Sequence, residues 1–185
     1  MKPGKLIVVS GPSGAGKGTV IELARRQRPD LALGISATTR DPRPEDANDV
    51  KYLFKTPEEF DKLIEDNDLY EWAWVHGQRY GTVRSYIEER LQEGSVILEI
   101  DPQGAKAVRA QTDCLLVFIA PPSLEVLRER LVRRNTETPE KIEKRMEDAV
   151  GIMETRFDYD VIIVNDDLDL AVSEFLHVIE EYEKQ

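Results

Sequence analysis

Two histidines and one cysteine in 185 residues leave little room for thiol or imidazole chemistry. Cys114 lies in the apolar run Cys-Leu-Leu-Val-Phe-Ile, where a thiol serves as a small buried hydrophobe. A catalytic thiol would need His76 or His177 beside it. A single cysteine also excludes a disulfide framework within the chain, which fits a reducing compartment. No apolar stretch approaches the length of a membrane span. Leu6-Ile7-Val8-Val9 is too short for a signal-peptide core and runs straight into glycines, so the sequence predicts a cytoplasmic protein without a membrane partner. Positive charge is in deficit. Lys and Arg number 25 against 36 Asp and Glu, a net −11, and such a surface repels DNA and RNA.

What is present is an ordinary globular composition, 41% hydrophobic and 33% charged, with length for one core. Residues 5–10 form a continuous apolar run of the kind found in central parallel strands. Glycine-rich residues 11–18 follow, then a helix pattern over about 19–28. Further helices are predicted at 57–67, 83–93, 103–111, 123–133, 139–154 and 167–184. Thr56, Pro57 and Glu59 give the second helix its cap, its first position and a capping box. Buried strands are predicted at 95–101, 114–120 and 160–164. Strands alternating with helices indicate an α/β fold with a mostly parallel sheet. Residues 32–82 break the rhythm, with short strand-like runs at 51–54 and 69–75, and predict a small antiparallel sheet inserted into the main fold.

The strongest signal is Gly11-Pro12-Ser13-Gly14-Ala15-Gly16-Lys17-Gly18-Thr19. Its glycines let successive backbone N–H groups turn toward one centre. The helix behind adds the positive end of its dipole, and Lys17 can reach the outer phosphates of a nucleotide. The hydroxyl that usually follows the lysine directly is displaced one place, to Thr19, by Gly18. Thr19 is the candidate contact to Mg²⁺, direct or through water. Asp101, at the carboxyl end of a strand, stands where open α/β sheets bind ligands. It suits a metal-binding acid, a contact to a second nucleotide, or the cap of the helix behind it.

Strand period in Leu69-Tyr70-Glu71-Trp72-Ala73-Trp74-Val75 puts Leu69, Glu71, Ala73 and Val75 on one face and Tyr70, Trp72 and Trp74 on the other. Glu71 among apolar neighbours needs donors. A structural arginine would serve, and so would guanine, whose N1–H and N2–H₂ stand side by side as adenine's groups do not. Arg40 and Arg43, in a proline-rich stretch, can fork onto a phosphate monoester or lie in solvent. Arg128, Arg130, Arg133 and Arg134, with Arg145 on the next helix, gather positive charge in an acidic chain. Arg130 and Arg134 share one helix face. A helix–turn–helix of this kind is a candidate lid.

Together these stretches resemble the guanylate kinases along nearly the whole chain: GPSGAGKGT, SATTRDPR, YEWAWVHGQRYGT, ILEIDPQGA, FIAPPS, RLVRRNTET and VNDDLDLA, in that order. The resemblance implies a P-loop, three-layer α/β fold that moves the γ-phosphoryl group of ATP, with Mg²⁺, onto GMP. It implies a core of 1–31, 83–123 and 155–185, a GMP-binding insertion at about 32–82, and a lid at about 124–154. Ser36, Glu71, Thr82 and Asp101 correspond to guanine contacts, and Arg40, Arg43, Tyr52 and Tyr80 to contacts with the GMP phosphate. Residues 11–19 would hold the ATP phosphates. Arg134 and Asn165 correspond to residues that meet adenine, and Arg130 and Arg145 to lid arginines that reach the phosphates. Lys17, Arg40, Arg130 and Arg145 are thereby the catalytic candidates.

The sequence departs from the family in three places. Glu45-Asp46-Ala47-Asn48-Asp49 lacks two usual glycines, although Asn48 and Asp49 tolerate left-handed backbone. Asn135 replaces a glycine of the lid turn, and Ile152 stands where an acid is common. Two other readings are a kinase for a different nucleoside monophosphate and a non-catalytic scaffold module of the same fold. The expected partners are the nucleotides ATP and GMP, and the oligomeric state is open between monomer and weak homo-oligomer.

Overall fold

The computed structural model describes residues 4–42, 52–75, 77–133 and 138–185. Arg43, Arg134, Asn135 and the 45–49 departure lie outside the described residues. Strand β1 (Leu6–Ser10) is buried at every position. It runs parallel to β7 (Val96–Glu99) on one side and to β8 (Leu115–Ala120) on the other. β2 (Ala32–Leu33) joins beyond β7 and β9 (Val161–Val164) beyond β8, all parallel. The described order is β2-β7-β1-β8-β9.

Side-chain alternation along β1 divides the core. Ile7 and Val9 pack toward helices α1 (Lys17–Gln27) and α7 (Leu168–Glu183), meeting Val20, Ala24, Val172 and Phe175. Leu6 and Val8 pack the other way, toward Ile87 of α3 (Arg84–Glu93) and Ala105 and Val108 of α4 (Pro102–Arg109). Burying apolar residues on both faces is why β1 reads as an unbroken hydrophobic run. Cys114 sits in the second cluster, and burial pushes its thiol pKa up, which leaves it unreactive.

A second sheet holds β3 (Ser36–Thr38), β4 (Tyr52–Phe54), β5 (Leu69–Val75) and β6 (Gln78–Val83), in the order β4-β3-β6-β5. It is mixed, not antiparallel throughout: β3 and β4 run parallel, while β6 is antiparallel to both β3 and β5. β2 belongs to the main sheet, so the small sheet starts at Ser36. Helix α2 (Pro57–Glu65) packs beneath it through buried Phe60. The predicted capping box is formed: Glu59 N–H donates to Thr56 Oγ1 at 3.2 Å, and Thr56 N–H to Glu59 Oε2 at 2.8 Å.

Helices α5 (Leu124–Arg133) and α6 (Pro139–Glu154) make a hairpin with its own core of Leu127, Leu131, Ile142, Met146 and Ala149. A single 3-10 turn, Thr155–Asp158, returns the chain to β9. α6 keeps the predicted bounds. α1 starts two residues early, at Lys17, because Gly16 (φ 93°) itself serves as the left-handed cap. The strand expected to run to Asp101 stops at Glu99, since Asp101 caps α4.

Candidate active site

The glycine-rich loop joins β1 to α1 at the carboxyl edge of the parallel sheet, where ligands bind such folds. Gly11, Gly14 and Gly16 have φ of 145°, 91° and 93°, values that suit glycine alone in practice. A Cβ on Gly16 would meet Asn165 Nδ2 at 2.3 Å, and one on Gly11 would meet the Ile119 carbonyl at 2.1 Å. Lys17 folds over the loop, and its ammonium donates to the carbonyls of Gly11 (2.8 Å) and Pro12 (3.1 Å). Gly18 and Thr19 are exposed at the mouth.

A cleft of about 530 Å³ runs from this loop to the small sheet. Lys17, Gly18 and Thr19 line one side, and Ser36 and Tyr52 the other. Ser36 is in register with both Tyr52 and Thr82. The Arg40 guanidinium lies over the Tyr52 ring at 5.2 Å, and the Tyr52 and Tyr80 rings meet edge-on at 5.8 Å. The structure thus brings Ser36, Tyr52, Tyr80 and Thr82 onto one sheet with Arg40 just beyond the end of β3, and Ser36 and Tyr52 line the cleft that reaches the loop.

Glu71 is placed by a feature that strand period alone misses. The β5–β6 register shifts between Leu69 and Glu71, a bulge at Tyr70. Leu69 and Trp72 both pack against Phe60 of α2, whereas Tyr70 and Glu71 turn toward α4. This corrects the face assignment made from the sequence, which put Leu69 with Glu71. No described arginine pairs with Glu71. Thr82 Oγ1 donates to its Oε1 at 2.6 Å, and Arg79 bonds Asp61 and the Pro57 carbonyl instead. Burial pushes the Glu71 pKa up, the Thr82 hydroxyl opposes that, and the nearby Asp101 carboxylate adds to it. Glu71 and Asp101 line a common cavity of about 360 Å³. Asp101 is itself the cap of α4, its Oδ1 accepting from Gly104 N–H at 2.7 Å. That bond uses one carboxylate oxygen.

On the far side of the loop, Gly14, Gly16, Thr19, Arg130, Arg133 and Asn165 help line a cleft of about 440 Å³. Buried Asn165 donates from Nδ2 to the Ala15 carbonyl at 2.8 Å. Arg130 donates to the backbone oxygens of Asn165 (2.8 Å) and Ala15 (3.4 Å), and Arg145 donates to Ser13 Oγ. Both hairpin arginines therefore converge on the phosphate loop. The hairpin core touches it as well, since Leu127 and Leu131 close over Gly14.

Sequence reasoning missed Glu99. It is exposed on a strand whose other three residues are buried, opposite Val9, and lines the main cleft with Lys17 to Thr19. In the sequence it shows only as a charge at the end of Val-Ile-Leu, two places before Asp101, with nothing to say what it faces. Among the described residues no group of three acidic, histidine or cysteine side chains forms a metal cage. No described helix is long and apolar enough to cross a membrane.

The sequence model of the family described as guanylate kinase matches residues 3–182. The chain belongs to the guanylate kinase family. Guanylate kinase of Thermobifida fusca is 46% identical over 180 residues, covering 96% of this chain and 92% of its own. That of Streptomyces kasugaensis is 47% identical over 174 residues, covering 93% and 85%. A crystal structure of guanylate kinase from Anaplasma phagocytophilum superposes with a TM-score of 0.75 at 27% identity, over all of this chain and 88% of that one. The fold is the P-loop kinase α/β fold of that family.

Proposed function

We infer that this guanylate kinase family member transfers the γ-phosphoryl group of ATP to GMP, giving ADP and GDP. The observation that carries the reading is the main cleft. It has backbone amides and Lys17 on one wall and the Ser36–Tyr52 edge, with Arg40 behind it, on the other. Two anion-holding surfaces thus face each other across one gap, as in-line transfer between two nucleotides requires.

In this reading residues 11–19 and Lys17 hold the ATP phosphates, and Arg134 and Asn165 flank the adenine. Arg40, Arg43, Tyr52 and Tyr80 fix the GMP phosphate. Its oxygen is already anionic at neutral pH, so no strong general base is needed. Ser36, Thr82 and Asp101 frame the guanine, and the Glu71 carboxylate accepts its paired N–H groups. Arg130 and Arg145 offset charge on the moving phosphoryl group, where one well-placed arginine contributes ~10³-fold or more in rate. Mg²⁺ bound with ATP would be held through the phosphates and its own waters, with the Thr19 hydroxyl and Glu99 carboxylate as the oxygen donors beside the loop. We assign the core to 1–31, 83–123 and 155–185, the GMP-binding insertion to about 32–82 and the lid to about 124–154. We take the reaction to run in the cytoplasm, in keeping with two small soluble nucleotides as substrates.

The test is a coupled assay of ADP release with GMP, then AMP, as acceptor. Turnover with GMP at least a hundredfold faster is expected. Faster turnover with AMP would remove the guanine assignment. Absence of turnover with every monophosphate, alongside intact folding, would favour the non-catalytic scaffold reading.

A further inference from the structure

Tyr159 carries a polar group to which the reading above gives no task. It follows directly on the 3-10 turn that ends the α5–α6 hairpin, and its ring helps line a separate cleft of about 490 Å³ between that turn and α4. Its hydroxyl is buried and has no hydrogen-bond partner among the described residues. Buried hydroxyls are costly to leave in that state, so one in a native fold calls for a reason.

The neighbours suggest it. The Tyr159 ring stands edge-on to Phe118, with centroids 5.1 Å apart. Phe118 on β8 is the register partner of Ser10 on β1. Leu6, Val8 and Leu116, which alternate with these two residues, belong to the cluster under α4, and Tyr159 packs on the same cluster. Ser10, Phe118 and Tyr159 therefore share one face of the sheet. Ser10 is fully buried, and its hydroxyl donates to the Ile100 carbonyl at 2.6 Å. Its oxygen keeps lone pairs for a donor. Burial pushes the Tyr159 phenol pKa up, the Ser10 hydroxyl opposes that, and the Asp101 and Asp158 carboxylates add to it. Ser10 immediately precedes Gly11 of the phosphate loop, and Ile100 immediately precedes Asp101. The Ser10–Ile100 bond ties the roots of the two nucleotide sites together.

We propose that Tyr159 is a positioning residue for phosphoryl transfer: with both nucleotides bound, its hydroxyl donates to Ser10 Oγ and stiffens the Ser10–Ile100 tie between the phosphate loop and Asp101. The inference rests on the kinase reading above. Its effect falls on alignment, so it belongs in kcat and not in the affinity for either nucleotide.

Tyr159→Phe keeps the ring contact with Phe118 and removes only the oxygen. The experiment is steady-state kinetics with ATP and GMP, together with thermal melting, for wild type, Tyr159→Phe, Ser10→Ala and the double variant. Tyr159→Phe should lose about tenfold in kcat, keep both KM values within about twofold, and melt at or above the wild-type temperature because an unsatisfied group is gone. The double variant should be no slower than the slower single variant, the mark of two groups acting as one. Unchanged kcat in Tyr159→Phe, multiplicative losses in the double variant, or a loss that tracks a fall in melting temperature would each overturn the proposal. Wild-type protein that fails to phosphorylate GMP would instead overturn the functional reading on which it stands.

Discussion

Lys17 is held by two carbonyl oxygens of its own loop, so its side chain both braces the loop and stands ready for phosphate. Lys17→Ala should lower kcat by about 10³-fold or more, with GMP affinity by calorimetry within about threefold of wild type. Full activity would refute the loop assignment. Glu71 offers a test through pH. Its folded-state pKa lies above the ordinary 4.5, so the fold favours the neutral acid. Stability from neutral Glu71 is fully present below the ordinary value and is lost as pH rises through the raised one. GMP reverses the preference, because two N–H donors favour the carboxylate. The KM for GMP should therefore climb as pH falls, starting above pH 4.5. Glu71→Gln should raise that KM about a hundredfold or more and abolish its share of the pH dependence. The GMP phosphate titrates near pH 6 with either enzyme, so the difference between the two profiles isolates Glu71. Identical profiles would return Glu71 to a structural role. Asp101 and Glu71 were both legible as candidates, because a carboxylate on an apolar face or at a strand end stands out in one dimension. Glu99 was not, since the meaning of its exposure depends on the loop across from it.

At the scale of elements, the phosphate loop shows how the two glycines on either side of Lys17 differ. Gly16 has a left-handed backbone and lies against Asn165, while Gly18 is helical and its nearest obstacle is the Glu99 carboxylate at an ordinary 3.8 Å. Gly16→Ala should destabilise the protein by about 1–3 kcal/mol and weaken ATP binding. Gly18→Ala should be neutral or stabilise by up to about 1 kcal/mol. Chemical denaturation of the pair checks both, and equal behaviour would contradict the loop geometry. The elements readable from sequence are those stabilised by their own patterns. β1 is an unbroken apolar run, α2 has its capping box, and α6 is bounded by Thr138-Pro139 at one end. β2 and β3 carry too few residues for a pattern, and β6 (Gln-Arg-Tyr-Gly-Thr-Val) has no apolar alternation to read. Pairing partners distant in sequence decide them, such as Ala37 with Gly81 across β3 and β6. The bulge at Tyr70 is likewise a consequence of two strands meeting, which a single strand's alternation does not encode.

At the scale of the molecule, the last turn of α7 is tied to the residue that leads into β7 and to the end of α1. Glu183, near the end of α7, accepts from Ser95 Oγ at 2.7 Å and pairs with Arg28. Arg28 also pairs with Asp30 and is itself partly exposed. Glu183→Ala should lower the melting temperature by roughly 2–4 °C, the shift expected for about 1 kcal/mol in a chain of this size. kcat and both KM values should stay unchanged. A change in either KM would mean that α7 reports to the active site. The α/β class and its mostly parallel main sheet were legible in the chain because strand and helix patterns alternate along it; the order of the strands was not, because it is decided by pairing between segments distant in sequence. The parallel pairing of β3 with β4 was not, because the connection between them carries no helical or strand signal of its own.

β1 lies at the centre of the parallel sheet, flanked by β7 and β8, with buried clusters on both faces. The phosphate loop hangs directly from its end. Amides of Leu6 to Ser10 should then exchange with deuterium only through global opening. In a urea titration, loss of nucleotide binding and loss of circular dichroism should fall at the same midpoint, for the binding loop has no folded scaffold left once its strand lets go.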